Sequence, residues 1–233
     1  MSWDLNRRKL LQIGAMGSAS WLLPGFSRRS SAMAAIHSDE ELRSNPDYAL
    51  QALIDGNKRF SGHHPSYPHQ DKKRVADLAA GQHPFATVLT CADSRVPVEL
   101  LFDQGVGDIF DVRVAGNIVT PGVMGSVEYA IDQLETPVLM VLGHESCGAV
   151  TAAVQNLKLP GDMSTFVDAI MPAVKESQGL EGDAIDNAVR QNVKYQIEQI
   201  KQSNLVSQRV KAGTLKVVGS RYDLDAGSVS IIA

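Results

Sequence analysis

Val138-Leu139-Met140-Val141-Leu142-Gly143-His144-Glu145-Ser146-Cys147-Gly148 carries the reading of this chain. Its first five residues form the most apolar run in the sequence, and a strand buried on both faces reads as such a run. A histidine and a cysteine then arrive three positions apart, and a helical pattern continues over 148–157. The same order occurs upstream. Phe85-Ala86-Thr87-Val88-Leu89-Thr90 reads as a strand and leads directly into Cys91-Ala92-Asp93-Ser94-Arg95, with a turn at Asp93-Ser94. Cys91 and Cys147 are the only two cysteines among 233 residues. In open parallel sheets ligands gather at the carboxyl ends of strands, so residues this far apart in sequence can meet there.

Outward from these strings the pattern alternates. Asn45-Pro46 reads as a helix cap followed by proline at the first helical position, with Tyr48, Ala49, Ala52, Leu53 and Phe60 as its apolar stripe. A Pro-rich loop holds His63, His64, Pro65, Tyr67, Pro68 and His69, and a second short helix ends near Gly81. Helix is expected over 98–102, strand over 109–114, and helix over 122–134 with Val123, Val127, Ala130, Ile131 and Leu134 on one face. After Gly161 two helices are expected, the second over 183–202 with the stripe Ile185, Val189, Val193, Ile197 and Ile200. A strand over 215–218, a turn at Asp225-Ala226-Gly227 and an edge strand over 229–232 close the chain. This alternation predicts an α/β fold: a small central parallel sheet with an antiparallel edge strand, flanked by helices. No internal repeat or long linker divides residues 35–233, which read as a single domain.

The composition, 44% hydrophobic and 21% charged, suits one full core. The formal net charge of −4 hides an asymmetry. Residues 1–34 carry Arg7, Arg8, Lys9, Arg28 and Arg29 against Asp4, a net of +4, which leaves −8 for the rest. An acidic body is a poor match for nucleic acid. The basic segment reads as an export signal: paired arginines, a short apolar stretch broken by Gly14, Gly17 and Pro24, then Ala32-Met33-Ala34 as a cleavage pattern. It resembles a twin-arginine signal. The alternative is an ordinary amphipathic N-terminus. The stretch is too short for a comfortable membrane span. Cleavage after Ala34 and a periplasmic or extracellular location are the expectation.

Two thiolates and one imidazole make three zinc ligands and leave a fourth position for water or substrate. Alone, His-x-x-Cys is a weak signal and Cys-x-Asp-x-Arg a modest one; together at strand ends, using every cysteine, they are stronger. One turn separates Asp93 from Arg95, so a bidentate carboxylate–guanidinium contact is feasible. The bland alternative is an ordinary turn salt bridge. Beside zinc, Asp93 can orient a water on the metal, or become the fourth ligand and shut the site at lower pH, with Arg95 deciding between the two. In an oxidising compartment the cysteines could instead form a disulfide. Their spacing of 56 positions lacks the Cys-x-x-Cys form of redox motifs.

These motifs resemble those of the β-class carbonic anhydrases. The likeness rests on Cys91-Ala92-Asp93-Ser94-Arg95-Val96-Pro97 and on His144-Glu145-Ser146-Cys147-Gly148. It extends to Phe110-Asp111-Val112-Arg113-Val114-Ala115-Gly116-Asn117, to Gly125-Ser126-Val127-Glu128-Tyr129-Ala130, and to the ending Val217 through Gly227, so that it spans about 46–232. The resemblance implies Zn2+ held by Cys91, His144 and Cys147, with the Asp93–Arg95 dyad as catalytic residues. It implies that Gln82 hydrogen-bonds bicarbonate, that Phe110 is a pocket aromatic, and that Gly148 offers a backbone contact near the metal. It further implies a pocket at a dimer interface, an N-terminal helical arm over 46–80 packed on the partner subunit, and a homodimer or larger homo-oligomer. Gly116 permits close backbone approach, and Ala115 stands where valine is frequent. The implied reaction is reversible hydration of carbon dioxide to bicarbonate and a proton by zinc-activated hydroxide. Hydrolysis of carbonyl sulfide or carbon disulfide on the same scaffold, and a non-catalytic zinc-binding protein, are the alternatives. His63, His64, His69 and His83 read as surface residues and Tyr129 as a packing residue.

Overall fold

The computed structural model describes residues 37–233; the export segment expected at 1–34 lies outside them. The described residues open with α1 (Asp39–Ser44), α2 (Pro46–Ser61) and α3 (Lys72–Asp77), then a 3-10 turn at Leu78–Ala80. β1 (Ala86–Thr90), α4 (Val98–Leu101), β2 (Ile109–Arg113), a 3-10 turn at Ala115–Asn117 and α5 (Pro121–Asp132) follow. Then come β3 (Val138–His144), α6 (Gly148–Val154), a 3-10 turn at Gly161–Met163, α7 (Ser164–Ser177), α8 (Ala184–Lys201), α9 (Asn204–Lys211), β4 (Lys216–Tyr222) and β5 (Val229–Ile231). The five strands form one sheet in the order β2-β1-β3-β4-β5. The first four run parallel and β5 pairs antiparallel with β4. This is the expected α/β architecture with its antiparallel edge.

The continuous apolar runs explain the centre. Every residue of β1 and β3 is buried. Their register pairs Thr87 with Leu139 and Thr90 with Leu142. Cys91, one step past the end of β1, therefore arrives level with the end of β3, where His144 is the last residue.

On one face, α2 and α4 cover Phe85, Val88 and Met140. α2 starts as its sequence demands: the Asn45 side chain accepts from the Asp47 and Tyr48 amides, and Pro46 takes the first position. Ala49 and Leu53 are buried, whereas Tyr48, expected on the same stripe, is 38% exposed and stacks on His37. Gly56 lies so close to α4 that a Cβ there would sit 1.7 Å from the Phe102 carbonyl oxygen. Next to it, Asn57 donates to the Leu101 and Gly227 carbonyls and accepts from Val229 N at 2.7 Å. Within the segment expected as an arm, α2 is thus docked on its own sheet.

On the other face, α8 buries Val189, Val193, Ile197 and Ile200, with Ile185 half-buried. Gly143 and Gly219 let α8 approach: a Cβ on either would meet a Val193 methyl at 2.7 Å. Two helices exceed the expectation. α1 is fixed by a Ser38–Glu41 capping box, and α9 is capped by Ser203. β4 extends to Tyr222 because Gly219, Ser220 and Arg221 pair with Val141, Leu142 and Gly143, an outcome of tertiary pairing rather than of local hydrophobicity. His63, His64 and His83 are exposed. His69 is not a free surface residue: its Nδ1 lies 2.8 Å from both oxygens of the buried Asp108, which Arg74 also binds. Tyr129 is 48% exposed, its ring tilted against Phe110 at 6.1 Å. Among the described residues, no helix is long and apolar enough to cross a membrane.

Candidate metal centre

The strand ends deliver three donor side chains to one place. Cys91, His144 and Cys147 are all buried, and their donor atoms lie within 4.8 Å of one another. Cys147 reaches the site because Ser146 adopts a left-handed backbone (φ 50°) that reverses the chain before α6. Cys147 itself stands at the residue before α6, with an extended backbone. The cysteines are both free thiols, so the disulfide alternative is not realised.

His144 is set up as a ligand by its own backbone. Its Nδ1 lies 2.8 Å from the Glu145 carbonyl oxygen. A carbonyl only accepts, so Nδ1 carries the proton and Nε2 keeps its lone pair. That Nε2 is buried and has no hydrogen-bond partner among the described residues. A buried acceptor left unpaired costs free energy unless a ligand satisfies it. An orphaned imidazole nitrogen beside two sulfurs is a donor set for a borderline-soft divalent cation, zinc above all. The residues fit the metal.

The thiols form one coupled pair. Cys91 is pushed down to about 4, first by its hydrogen bond with Cys147, then by His144 and by the Gly116 N–H that donates to its Sγ at 3.3 Å, all against the effect of burial. Cys147 is pushed up, by the Cys91 sulfur beside it and by burial. A divalent cation reverses that second shift, because metal ligands bind deprotonated.

Asp93 and Arg95 stand beside the donors. Arg95 Nε donates to Asp93 Oδ1 at 2.9 Å and Nη2 to Oδ2 at 2.8 Å, while the Arg95 amide also donates to Oδ1. This fork holds the Asp93 carboxyl well below the usual range. Asp93 Oδ2 lies 3.8 Å from His144 Nε2. Sequence reasoning missed two supports. Arg113, at the end of β2, donates to the Asp93 carbonyl at 2.7 Å and to the Cys91 carbonyl at 3.3 Å, pinning the loop from the neighbouring strand. Arg221 on β4 pairs with Glu145, whose other oxygen accepts from Leu224 N. Both arginines lie in stretches that carry the family likeness, but only strand pairing shows what they support.

Not every expected site residue joins this cluster. Gly148 does: it opens α6 next to Cys147, and the space its Cβ would occupy is empty to 4 Å. Gln82 does not. It is exposed ahead of β1, at the amino end of the strand whose carboxyl end carries Cys91. At ~3.3 Å per strand residue the two are well over 10 Å apart. Phe110 pairs in register with Thr87, three residues back from the end of β1, and leans on Tyr129.

Fold and donor set define a metal-binding α/β protein with a thiolate–imidazole centre at the carboxyl rim of a parallel sheet. The sequence pattern of the family described as carbonic anhydrase matches residues 86–229. The chain is 40% identical over 189 residues to carbonic anhydrase 2 of Mycobacterium tuberculosis, covering 79% of this chain and 91% of that one. It is 40% identical over 193 residues to the carbonic anhydrase of Mycolicibacterium smegmatis, covering 81% and 94%. Its structure is similar to that of the β-carbonic anhydrase CcaA, with a TM-score of 0.64 at 29% identity over 78% of this chain and 87% of that one. The chain belongs to the carbonic anhydrase family, in its β class.

Proposed function

We propose that this protein catalyses the reversible hydration of carbon dioxide to bicarbonate and a proton, with zinc held by Cys91, His144 and Cys147. The carrying observation is the buried, unpartnered His144 Nε2 between two free thiols. Zinc bound there supplies a water whose pKa is lowered toward about 7, hence a nucleophile at neutral pH. The chain's own residues do the rest. Asp93, kept ionised by Arg95, offers Oδ2 as a hydrogen-bond acceptor on the metal side and orients the reacting water. The same oxygen is near enough to the donors to gate the site, and the Arg95 fork restrains it. Arg113 fixes the loop on which both sit.

The substrate pocket is completed by a second copy. Gln82 cannot reach its own chain's Cys91, because β1 separates them. In a homodimer or higher homo-oligomer, Gln82 of the partner subunit and Phe110 of the partner subunit meet the centre across the interface. The outer edge of β2, unpaired among the described residues, supports such an arrangement. Residues 1–34 act as a twin-arginine-type export signal and place the enzyme in the periplasm or outside the cell; the paired arginines and Ala32-Met33-Ala34 support that reading.

The test is stopped-flow carbon dioxide hydration with metal content measured on the same full-length sample. About one zinc per chain with fast hydration is expected. Zinc without hydration across roughly pH 7 to 9 points instead to carbonyl sulfide or carbon disulfide as substrate. No zinc and a Cys91–Cys147 disulfide overturns the reading.

A further inference from the structure

α8 carries two polar residues where an apolar face is required. Asn192 and Gln196, one helical turn apart, are 0% and 1% exposed and share the face that buries Val189, Val193 and Ile200. Both are amides, and each is used at both ends. Gln196 Oε1 accepts from Val119 N at 2.8 Å, and Gln196 Nε2 donates to Asn192 Oδ1 at 2.9 Å. Asn192 Nδ2 donates to the Gly116 carbonyl at 2.9 Å and reaches Asn117 Oδ1 at 3.5 Å. The direction of the chain is forced, because a backbone N–H at one end can only donate and a backbone carbonyl at the other can only accept.

The segment they hold is strained. Gly116 (φ 74°) and Asn117 (φ 45°) are both left-handed, and a non-glycine residue there costs on the order of 1 kcal/mol. Gly116 is also pressed against the core: a Cβ would meet Ile170 Cδ1 at 2.6 Å. What the strained turn achieves is one contact, the Gly116 N–H on Cys91 Sγ.

We infer that Asn192 and Gln196 are positioning residues for the metal centre: their amides lock the Ala115–Asn117 turn so that the Gly116 N–H points at the Cys91 sulfur. The inference rests on the proposed metal site and adds a support to it from a helix outside all the site motifs. An outer hydrogen bond of this kind orients a ligand and tunes its donation to the metal; losing one typically weakens metal binding by about 10–100-fold. Leucine at position 192 would fill nearly the same volume but leave the Gly116 carbonyl without its donor.

The test compares full-length Asn192→Leu and Val193→Ala with the parent protein. Val193 packs against Gly143 and Gly219, so its truncation lowers stability without touching the turn. Zinc affinity is read by competition with a chelator, and the thiolate-to-metal charge-transfer band is read after cobalt substitution. Asn192→Leu should bind zinc about tenfold or more weakly and shift the cobalt band, while Val193→Ala melts earlier with both readings unchanged. Should Asn192→Leu fail to fold, Gln196→Met breaks the same chain one link further out and should shift the band in the same direction. If the folded variant keeps the parent's zinc affinity and cobalt band, the amides only satisfy buried backbone and the inference falls. A parent protein that shows no thiolate–cobalt band overturns the metal reading itself, and the two failures are told apart by that control.

Discussion

Asp93 Oδ2 stands 3.8 Å from His144 Nε2 while it receives the Nη2 arm of the Arg95 fork. The carboxylate is thus held beside the donor cluster by the Arg95 fork. Asp93→Ala should leave zinc bound, because all three donors remain, and should lower hydration by about 10²–10³-fold, the usual loss on removing one preorganised polar group. Metal content and stopped-flow rates on the same sample check this. Full activity in the variant would sink the dyad as a catalytic element.

Arg95→Lys keeps the charge and loses the fork. A lysine ammonium offers a point contact in place of two parallel hydrogen bonds, and the two residues are not interchangeable at a bidentate site. Zinc should be retained, with activity lower by more than a factor of about ten. Parent-like rates in Arg95→Lys would show that charge alone suffices.

Removing the metal should destabilise the fold. A ligand that binds only the folded state adds about 4 kcal/mol at a thousandfold excess over its Kd, and here it also satisfies the buried His144 Nε2. Chelator treatment should lower the melting temperature, and added zinc should restore it. His144→Ala should show no such response to zinc.

Asp111 on β2 is raised to about 6, by burial first and by the negative charge of Glu99 next, with Arg113 opposing; its Oδ1 has no hydrogen-bond partner among the described residues. A carboxyl raised above its unfolded value of about 3.9 stabilises the fold below that value. The contribution fades as pH rises through 6. Asp111→Asn removes the buried charge, so it should be more stable than the parent by about 1–3 kcal/mol at pH ~8. The difference should shrink toward zero near pH ~4. Denaturant melts at the two pH values decide it, and a gap that widens in acid would refute it.

Gly56→Ala forces a methyl group into the Phe102 carbonyl. Overpacking of this kind costs about 1–3 kcal/mol or more. The loss should be accompanied by faster hydrogen exchange in α2, whose contact with α4 and β5 runs through Asn57. An unchanged melt would mean that α2 docks less closely than this.

The strands and the metal ligands were legible because each has a local signature. Continuous burial makes β1 and β3 continuous apolar runs, and cysteine is rare enough here that two of them at strand ends speak for themselves. What stayed hidden depends on partners far along the chain. Arg113 and Arg221 become supports only once β2 and β4 flank the central strands. Asn192 and Gln196 look like interruptions of an apolar stripe until the Gly116 turn arrives to meet them. The expected strand stops at Val218, where glycine with its low strand propensity follows, and pairing with β3 carries β4 on to Tyr222. α9 is short, and Ser203 was its one strong local mark. Gln82 and Phe110 could be read from the resemblance, but within the chain neither joins the donor cluster: Gln82 precedes β1 and Phe110 pairs with Thr87.

The donors hang from two strands that are adjacent in space but have β2 and α5 between them in sequence. No short stretch of unfolded chain holds all three, because Cys91 lies 53 positions before His144, so the centre has no local precursor. If the proposed centre takes zinc, high-affinity uptake should wait for the long-range pairing of β1 with β3. A nascent chain still short of Cys147 lacks the third donor altogether. Metal loading would then double as a clock on the protein's own sheet assembly, and an occupancy assay during refolding would time the closing of that one strand pair.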